Sequence, residues 1–472
     1  MEKNIKYFKK TNVAFKAWRC YGLISLTAYV LSATVFSCKK SLVVPAPKDQ
    51  IVNTAVFDSD NSATSAMTGV YIAIMTSEQI FSGNMTVNGG LYADELTSSS
   101  NGNLFANSAL TSANTEVNKD WANIYNYIYG ANSVLEGVSS SSQISTPVKN
   151  QLTGEAKFMR AFCYFYLVNL FGDVPLITTT NYQVNSIIAR TPSNQVYAQI
   201  IADLKDAQTL LTTDYSFSNG EKIKPNHWAA TALLSRVYLY NKDWADAETQ
   251  ANALISPNAF SLVALNSVFL ANSNEAIWQL MPVNPVYNTY EAQYFIPVNA
   301  TSKVNYPLTK SFIESIEPGD QRLTDWTGTS VYNGTTYYYP HKYKLKTGAS
   351  LQEYYMVLRL PELYLIRAEA EAEQGNLSTA IADINVIRAR AGLTTLPVTL
   401  NSAQTLQAIA QERRVEYFCE WGQRLFDLER TNQANDILGA LKPNTWLPTA
   451  VLWPIPVVQI KANGALTQNP GY

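Results

Sequence analysis

SRVYLYNKDWADA, residues 235–247, and AEAEAEQGNLSTA, residues 368–380, decide the fold between them. The two stretches align at an offset of 133 residues. In each, a small residue (Ser235 or Ala368) lies twelve positions before an alanine (Ala247 or Ala380), across a short polar break. Ala251 and Leu254 continue the first pattern and Ile384 and Ile387 the second, at helical spacing. Small residues at those two points let a pair of antiparallel helices approach closely.

That spacing resembles the tetratricopeptide helical hairpin, although the two units are not in tandem and the signature Trp and Gly positions are weak. The plainer alternative is that any tight helix pair needs small residues at its crossing. Working outward, further helices are expected near Asn61–Met75 and near Val117–Leu135, the latter on a stripe of Trp121, Ile124, Ile128 and Leu135. Lys149–Leu170 carries Phe158, Phe162, Phe165 and Tyr166 and stops at Gly172-Asp173-Val174-Pro175. Asn194–Leu211 is a second amphipathic helix, expected to pack antiparallel on the first. The Asn-, Ser- and Gly-rich run from Ser82 to Ser112 reads as a long loop.

Between the hairpins, residues 256–355 change character. Pro282, Pro285, Pro297, Pro307, Pro318 and Pro340 interrupt the chain and aromatic residues crowd the gaps. VYNTYEAQYF and VYNGTTYYYPHKYKL read as irregular loop and short hairpin, with Asn333-Gly334 at a turn. The expected class is therefore mainly α, helical hairpins with a large loop-rich insertion carrying a few short strands. A loop-rich insertion on a helical scaffold is where binding usually sits.

The N-terminus reads as an address. Lys3, Lys6, Lys9, Lys10, Lys16 and Arg19 precede a mostly apolar run from Cys20 to Phe36. As a helix that run would span roughly 25 Å, short for a hydrocarbon core of about 30 Å, so a signal peptide over residues 1–37 is expected rather than an anchor helix. Val35-Phe36-Ser37-Cys38 resembles a bacterial lipobox with Cys38 as the lipidated residue, and its acyl chains would hold the protein at a membrane. Residues 38–55 then form the lipidated N-terminus and a Pro-containing tether. One domain is expected over 56–472, helical over about 56–255, loop-rich over about 256–355 and helical again over about 356–472.

The chain has 472 residues and a net charge of -2, with 35 Lys and Arg against 37 Asp and Glu. Removal of residues 1–37 takes six basic groups and one acid, leaving 29 against 36 and a net of -7. Charged residues are only 15%, so Asn, Ser, Thr and 29 Tyr supply much of the polar surface. With no basic tract, nucleic acid is not an expected partner. Two histidines leave little room for a zinc site or a Ser-His-Asp triad, and no cofactor or metal is expected. Cys163 and Cys419 sit in apolar helical sequence and are expected as buried thiols, with pairing left open.

Four stretches together resemble the SusD/RagB family of outer-membrane nutrient-binding lipoproteins. They are Gly154-Glu-Ala-Lys-Phe-Met-Arg-Ala-Phe162 running on to Leu170–Leu176; Leu358–Ala370; Asn385–Leu393 with Glu412–Glu416 and Arg424–Leu428; and Trp453–Pro456 with Leu466–Tyr472. The resemblance implies an α/α superhelix of tetratricopeptide-like units supporting a loop-built binding face. It implies a lid on a SusC-like TonB-dependent transporter that captures oligosaccharide, or in some members peptide, at the cell surface without catalysing a reaction. Lys39 and Lys40 follow Cys38 where surface-exported members often carry acids.

A sugar ring offers an apolar face to a flat aromatic ring and hydroxyls to neighbouring polar groups. Three loop regions carry that mixture: Tyr92, Asp94 and Glu95; Tyr287, Asn288, Tyr290 and Tyr294; and Trp326, Tyr332, Tyr337 and Tyr338. Glu412, Arg413, Arg414, Glu416 and Glu420 fall on one predicted helix, with Arg424, Asp427 and Arg430 beyond it, and read as structural ion pairs. Asp94-Glu95 or Glu314, Glu317 and Asp320 could supply a glycosidase carboxylate pair, though no fold signal supports it. A repeat scaffold for a protein partner is the third class considered.

Overall fold

The computed structural model describes residues 56–472 apart from 77–78, 285–287 and 349. The expected signal peptide, Cys38, the tether and Tyr287 lie outside the described residues. Residues 56–472 form one compact unit.

Side-chain caps start the N-terminal helices. Ser59 accepts from the Ser62 amide and opens α1, Asp60–Met75. A π-turn over Ile80–Asn84 leads into α2, Met85–Tyr92. Asn114 accepts from the Val117 amide at 3.0 Å and opens α3, Thr115–Ser140. Pro147 sits in the first turn of α4, Thr146–Phe171, which ends at Gly172 with φ 70°. The stripes are those expected, and α4 is buried on nearly every side along its second half.

α5, Ser193–Leu210, runs antiparallel to α4. The pairing shows in the contacts: Lys157 with Asp206, Arg160 with Asp203, and Tyr197 with Asn169. Gly154 permits the crossing, because a Cβ there would lie 2.6 Å from the Leu211 side chain. Arg160 forks onto Asp203 at 2.8 and 2.7 Å and gives its remaining nitrogen to Asn132 of α3, so three helices share one buried guanidinium.

The two quoted repeats form helix pairs α6 (His227–Tyr240) with α7 (Trp244–Ile255), and α8 (Leu360–Glu373) with α9 (Leu377–Arg390). The small residues stand at the crossings: Ser235, Ala247, Ala368 and Ala380 are fully buried, and Ser235 Oγ donates to the Ala247 carbonyl at 2.9 Å. α3 packs on α4, α4 on α5, α5 on α6, α6 on α7, α7 on α8 and α8 on α9, a continuous α/α stack. α10, Ser402–Glu416, closes against α8 and α9.

Two short antiparallel ribbons belong to the insertion. β1 (Ala276–Leu280) pairs with β4 (Tyr355–Arg359), and β2 (Thr327–Tyr332) pairs with β3 (Thr335–Pro340). Asn333 and Gly334 both have positive φ, the geometry a two-residue hairpin turn requires. β4 runs straight into α8 through Arg359.

Two expectations are corrected. Residues 82–112 are not all loop, since α2 lies inside them. Its two glycines, which lower helix propensity, are present for packing: a Cβ on Gly89 would lie 2.8 Å from the Gly422 Cα. The helix carrying Glu412 and Glu416 stops at Glu416, so Glu420 lies beyond it. Cys419, Trp421 and Gly422 all take positive φ in the tight turn into α11, Gln423–Arg430. Within the insertion, VYNTYEAQYF contains a short helix, Tyr290–Phe295, capped by Thr289. Cys163 and Cys419 are free and buried.

Candidate functional site

Two polar regions of opposite kind emerge. The first is an ionic core. Arg322 reaches Asp320 at 2.8 Å, Glu412 at 2.6 Å and Glu416 at 3.0 Å. Arg359 reaches Glu275 at 3.1 Å, Glu420 at 2.8 Å and also Glu416, which Arg390 joins as well. All these groups are buried apart from the half-buried Arg390. Burial alone would raise the Glu416 pKa, yet Arg390, Arg359 and Arg322 hold it well below the usual carboxylate range. The residues read as ion pairs are ion pairs, joining α8, α9, α10 and the insertion.

The second region is assembled from loops. Residues 96–99 lie beside 305–309: Leu96 bridges Leu308, the Thr97 amide donates to the Pro307 carbonyl and the Ser99 amide to the Asn305 carbonyl, each at 2.8 Å. The Leu308 amide in turn donates to the Tyr338 carbonyl of β3 at 2.8 Å. The order across this irregular layer is thus 96–99, 305–309, β3, β2.

A cleft of about 400 Å³ opens at the end of the layer nearest residues 96–99. Its polar lining includes Asn101, Asn103, Asn107, Thr309, Ser311 and Lys442, with Leu96, Ala106 and Leu441 as apolar wall. Asn103 Oδ1 accepts from the Phe105 and Ala106 amides at 3.0 Å and so shapes the loop. The side-chain amides of Asn101 and Asn107 bond to no group among the described residues and stand exposed. Lys442 Nζ donates to the Leu91 and Tyr92 carbonyls at the C-terminal end of α2, and burial pulls its pKa down to about 8.

The nominated residues divide. Tyr332, Tyr337 and Tyr338 are half-buried on the hairpin, with Tyr332 and Tyr337 on one face and Tyr338 on the other. Tyr294 is half-buried, donates to Asn84 Oδ1 at 3.0 Å and stands edge-on to Tyr306 at 6.3 Å. Tyr290 is buried, its ring stacked on Tyr294.

Tyr92, Asp94, Glu95, Asn288 and Trp326 are buried, and of these Asp94 also lines the cleft. The Tyr92 hydroxyl donates to the Ala450 carbonyl. Trp326 Nε1 donates to the Leu265 carbonyl, and the Lys342 ammonium lies 4.7 Å from the Trp326 ring centroid. Asn288 Oδ1 accepts two backbone amides. Asp94 lines the cleft, but Arg414 and Arg424 occupy its carboxylate and keep its pKa low against burial. Burial, reinforced by Asp94, pushes Glu95 up to about 8.

Of the carboxylates weighed for hydrolysis, Asp320 is engaged by Arg322 and Glu317 by Arg388. The reading of the sequence missed Asn101, Asn103, Asn107, Thr309, Ser311 and Lys442. The Ser- and Asn-rich run at 98–107 was the available signal for three of them.

Comparison with known proteins settles the family. A model described as starch-binding, associating with the outer membrane, matches residues 46–239, and the SusD family model matches residues 286–472. The chain belongs to the SusD/RagB family. A SusD-like protein of Formosa agariphila is 23% identical, the alignment covering 95% of this chain and 99% of that one. A SusD-like protein of Bacteroides ovatus is 26% identical over 84% of this chain and 80% of its own. Among solved structures, a SusD superfamily protein from Bacteroides vulgatus superposes with a TM-score of 0.77 at 22% identity, covering 88% of this chain and all of the other. A laminarin-binding SusD-like protein superposes at 0.73 with 23% identity, over 87% and 99%. These SusD/RagB relatives are binding proteins of the outer membrane. Among the described residues, no helix is long and apolar enough to cross a membrane.

Proposed function

We propose that this protein is a cell-surface glycan-binding lipoprotein that captures oligosaccharide and passes it to a SusC-like TonB-dependent transporter. Acyl chains on Cys38 anchor it in the outer membrane, and the loop-built face turns outward. The observation that carries the reading is the cleft: amides and hydroxyls make up most of its polar lining, and the side-chain amides of Asn101 and Asn107, without partners among the described residues, suit a ligand rich in hydroxyl groups. The one carboxylate there is held by two arginines, so it repels nothing and abstracts no proton. Tyr332, Tyr337 and Tyr338 are the candidate stacking rings at the far side of the same layer. No catalytic residue is assigned.

Calorimetric titration against a panel of polysaccharides tests this, beginning with laminarin and soluble starch because relatives carry those names. Saturable binding to at least one glycan, weakened by Asn107→Ala, is the expected result. Binding of peptides alone would replace glycan by peptide in the proposal.

A further inference from the structure

A groove of about 370 Å³ is walled by α3, by the loop that follows α4 and by the short helix Val457–Ala462 with the residues after it. It shares no lining residue with the Asn-lined cleft. Trp121, Tyr125 and Tyr129 line it at i, i+4 and i+8 of α3, so they follow one another along one helix face, about 6 Å per step along the axis. The Trp121 and Tyr125 rings lie 5.1 Å apart. Exposure rises along the stripe: Trp121 is buried, Tyr125 half-buried and Tyr129 56% exposed. The Tyr125 hydroxyl donates to the Pro175 carbonyl at 2.9 Å, whereas the Tyr129 hydroxyl bonds to no group among the described residues.

The walls are tied to one another. Gln459 Nε2 donates to Asn118 Oδ1 of α3 at 3.1 Å, and the Val457 amide donates to the Ser112 carbonyl at 2.8 Å. Asn463 Nδ2 donates to the Ile188 carbonyl and Asn185 Nδ2 to the Thr179 carbonyl, each at 2.8 Å. The groove is therefore preformed, and a ligand entering it need not order its walls. Two amides in the lining keep capacity to spare. Asn126, one helical turn before Tyr129, is exposed and its side chain bonds to no group among the described residues. Gln459 is half-buried and its Oε1 accepts no hydrogen bond among them. No charged residue belongs to the lining among the described residues.

We infer that this groove is a second binding site for a neutral saccharide, with one sugar ring on the face of Tyr129 and its hydroxyls bonded by Asn126 and by Gln459 Oε1. The choice of ligand class rests on the glycan reading above, while the site itself is separate from the cleft. An exposed aromatic ring carried on a helix supplies a flat apolar face, and the unengaged amides beside it supply donors and acceptors for hydroxyl groups. An uncharged lining has nothing to pair with a carboxylate or an ammonium, so a neutral ligand is the one it suits, and the volume fits a short stretch of glycan.

The test is calorimetry on the full chain in detergent, with maltohexaose, laminarihexaose, cellohexaose and mannohexaose as probes. Each is titrated into the wild type, Tyr129→Ala, Ala462→Trp and the Asn101→Ala, Asn107→Ala double variant. Ala462 is an exposed member of the lining, so a tryptophan there fills the groove and should abolish one binding event while the thermal midpoint is kept. Tyr129→Ala should weaken the same event about tenfold. The double variant should retain it. Full binding by either groove variant, or loss of all binding in the double variant, would overturn the inference and leave the glycan reading standing. Binding kept in the double variant and abolished by Ala462→Trp would support the groove and remove the cleft from that reading. No binding of any hexasaccharide at millimolar concentration would overturn both.

Discussion

The ionic core and the Asn-lined cleft use polar side chains in opposite ways. In the core nearly every charge has a partner of opposite sign inside the protein: Glu416 alone meets three guanidinium groups. In the cleft most polar groups are neutral, the charged Asp94 and Lys442 being engaged by the protein, and the side-chain amides of Asn101 and Asn107 have no internal partner among the described residues. A charge held by buried partners has little left to offer a ligand, whereas an unbonded amide at a concave surface has its whole hydrogen-bonding capacity available. The residues most conspicuous in the sequence are accordingly scaffold, and the inconspicuous ones face the solvent-filled cleft.

The sharpest way to break this contrast is at its ionic centre. Glu416→Gln leaves Arg322, Arg359 and Arg390 with a neutral partner, and removing one member of a buried ion pair costs about 3–5 kcal/mol. Urea unfolding should show a loss of that order. A change under 1 kcal/mol would mean the network is not holding the insertion onto the helices.

Stability should also respond to pH through two oppositely shifted sets of acids. Glu416 has a folded pKa below its unfolded one, so its contribution is present above about pH 4.5 and disappears as pH falls through the folded value. Glu95 and Glu291 are raised by burial to about 8. Their unfolded forms ionise near pH 4.5 while the folded forms stay protonated, so stability declines as pH rises from there to about 8. Glu291→Gln should flatten the decline between pH 5 and 8, a change of a few kcal/mol at pH 8 seen in urea midpoints. An unchanged slope would show that Glu291 ionises normally in the folded protein.

Smaller effects are expected on the cleft side. Asn107→Ala should weaken glycan binding by about 1 kcal/mol, several-fold in Kd, with the thermal midpoint unmoved. Tyr337→Ala should cost about 0.5–1.5 kcal/mol of binding if that ring stacks on sugar, and nothing if it serves only the hairpin.

How much of this was readable in the sequence follows from the range of the interactions. Helix pairs were readable because their signals are local: the Ser235 and Ala247 crossing is set by a spacing of twelve positions, and the Asn333-Gly334 turn by two residues. α2 was missed because Gly89 and Gly90 look like loop residues until Gly422 is seen against the first and Leu96 against the second. The cleft was only half readable. Its Asn-rich wall stood out as polar loop, but Thr97 meets Pro307 across 210 residues and Lys442 meets Leu91 across 351. No periodicity reports such a pairing. The burial of Asp94 and Trp326 was unreadable for the same reason: the arginines that hold one and the carbonyl that holds the other lie far along the chain.

The most direct test of the central claim compares one mutation in each region. The first glycan that binds the wild-type chain is titrated by calorimetry into an Asn101→Ala, Asn107→Ala double variant and into Glu317→Gln, which loosens an ion pair at the edge of the core. The account predicts binding about tenfold or more weaker in the double variant at an unchanged thermal midpoint, and wild-type affinity in Glu317→Gln. Wild-type affinity in the double variant, with binding lost in Glu317→Gln, would contradict it and move the ligand to the ionic motif.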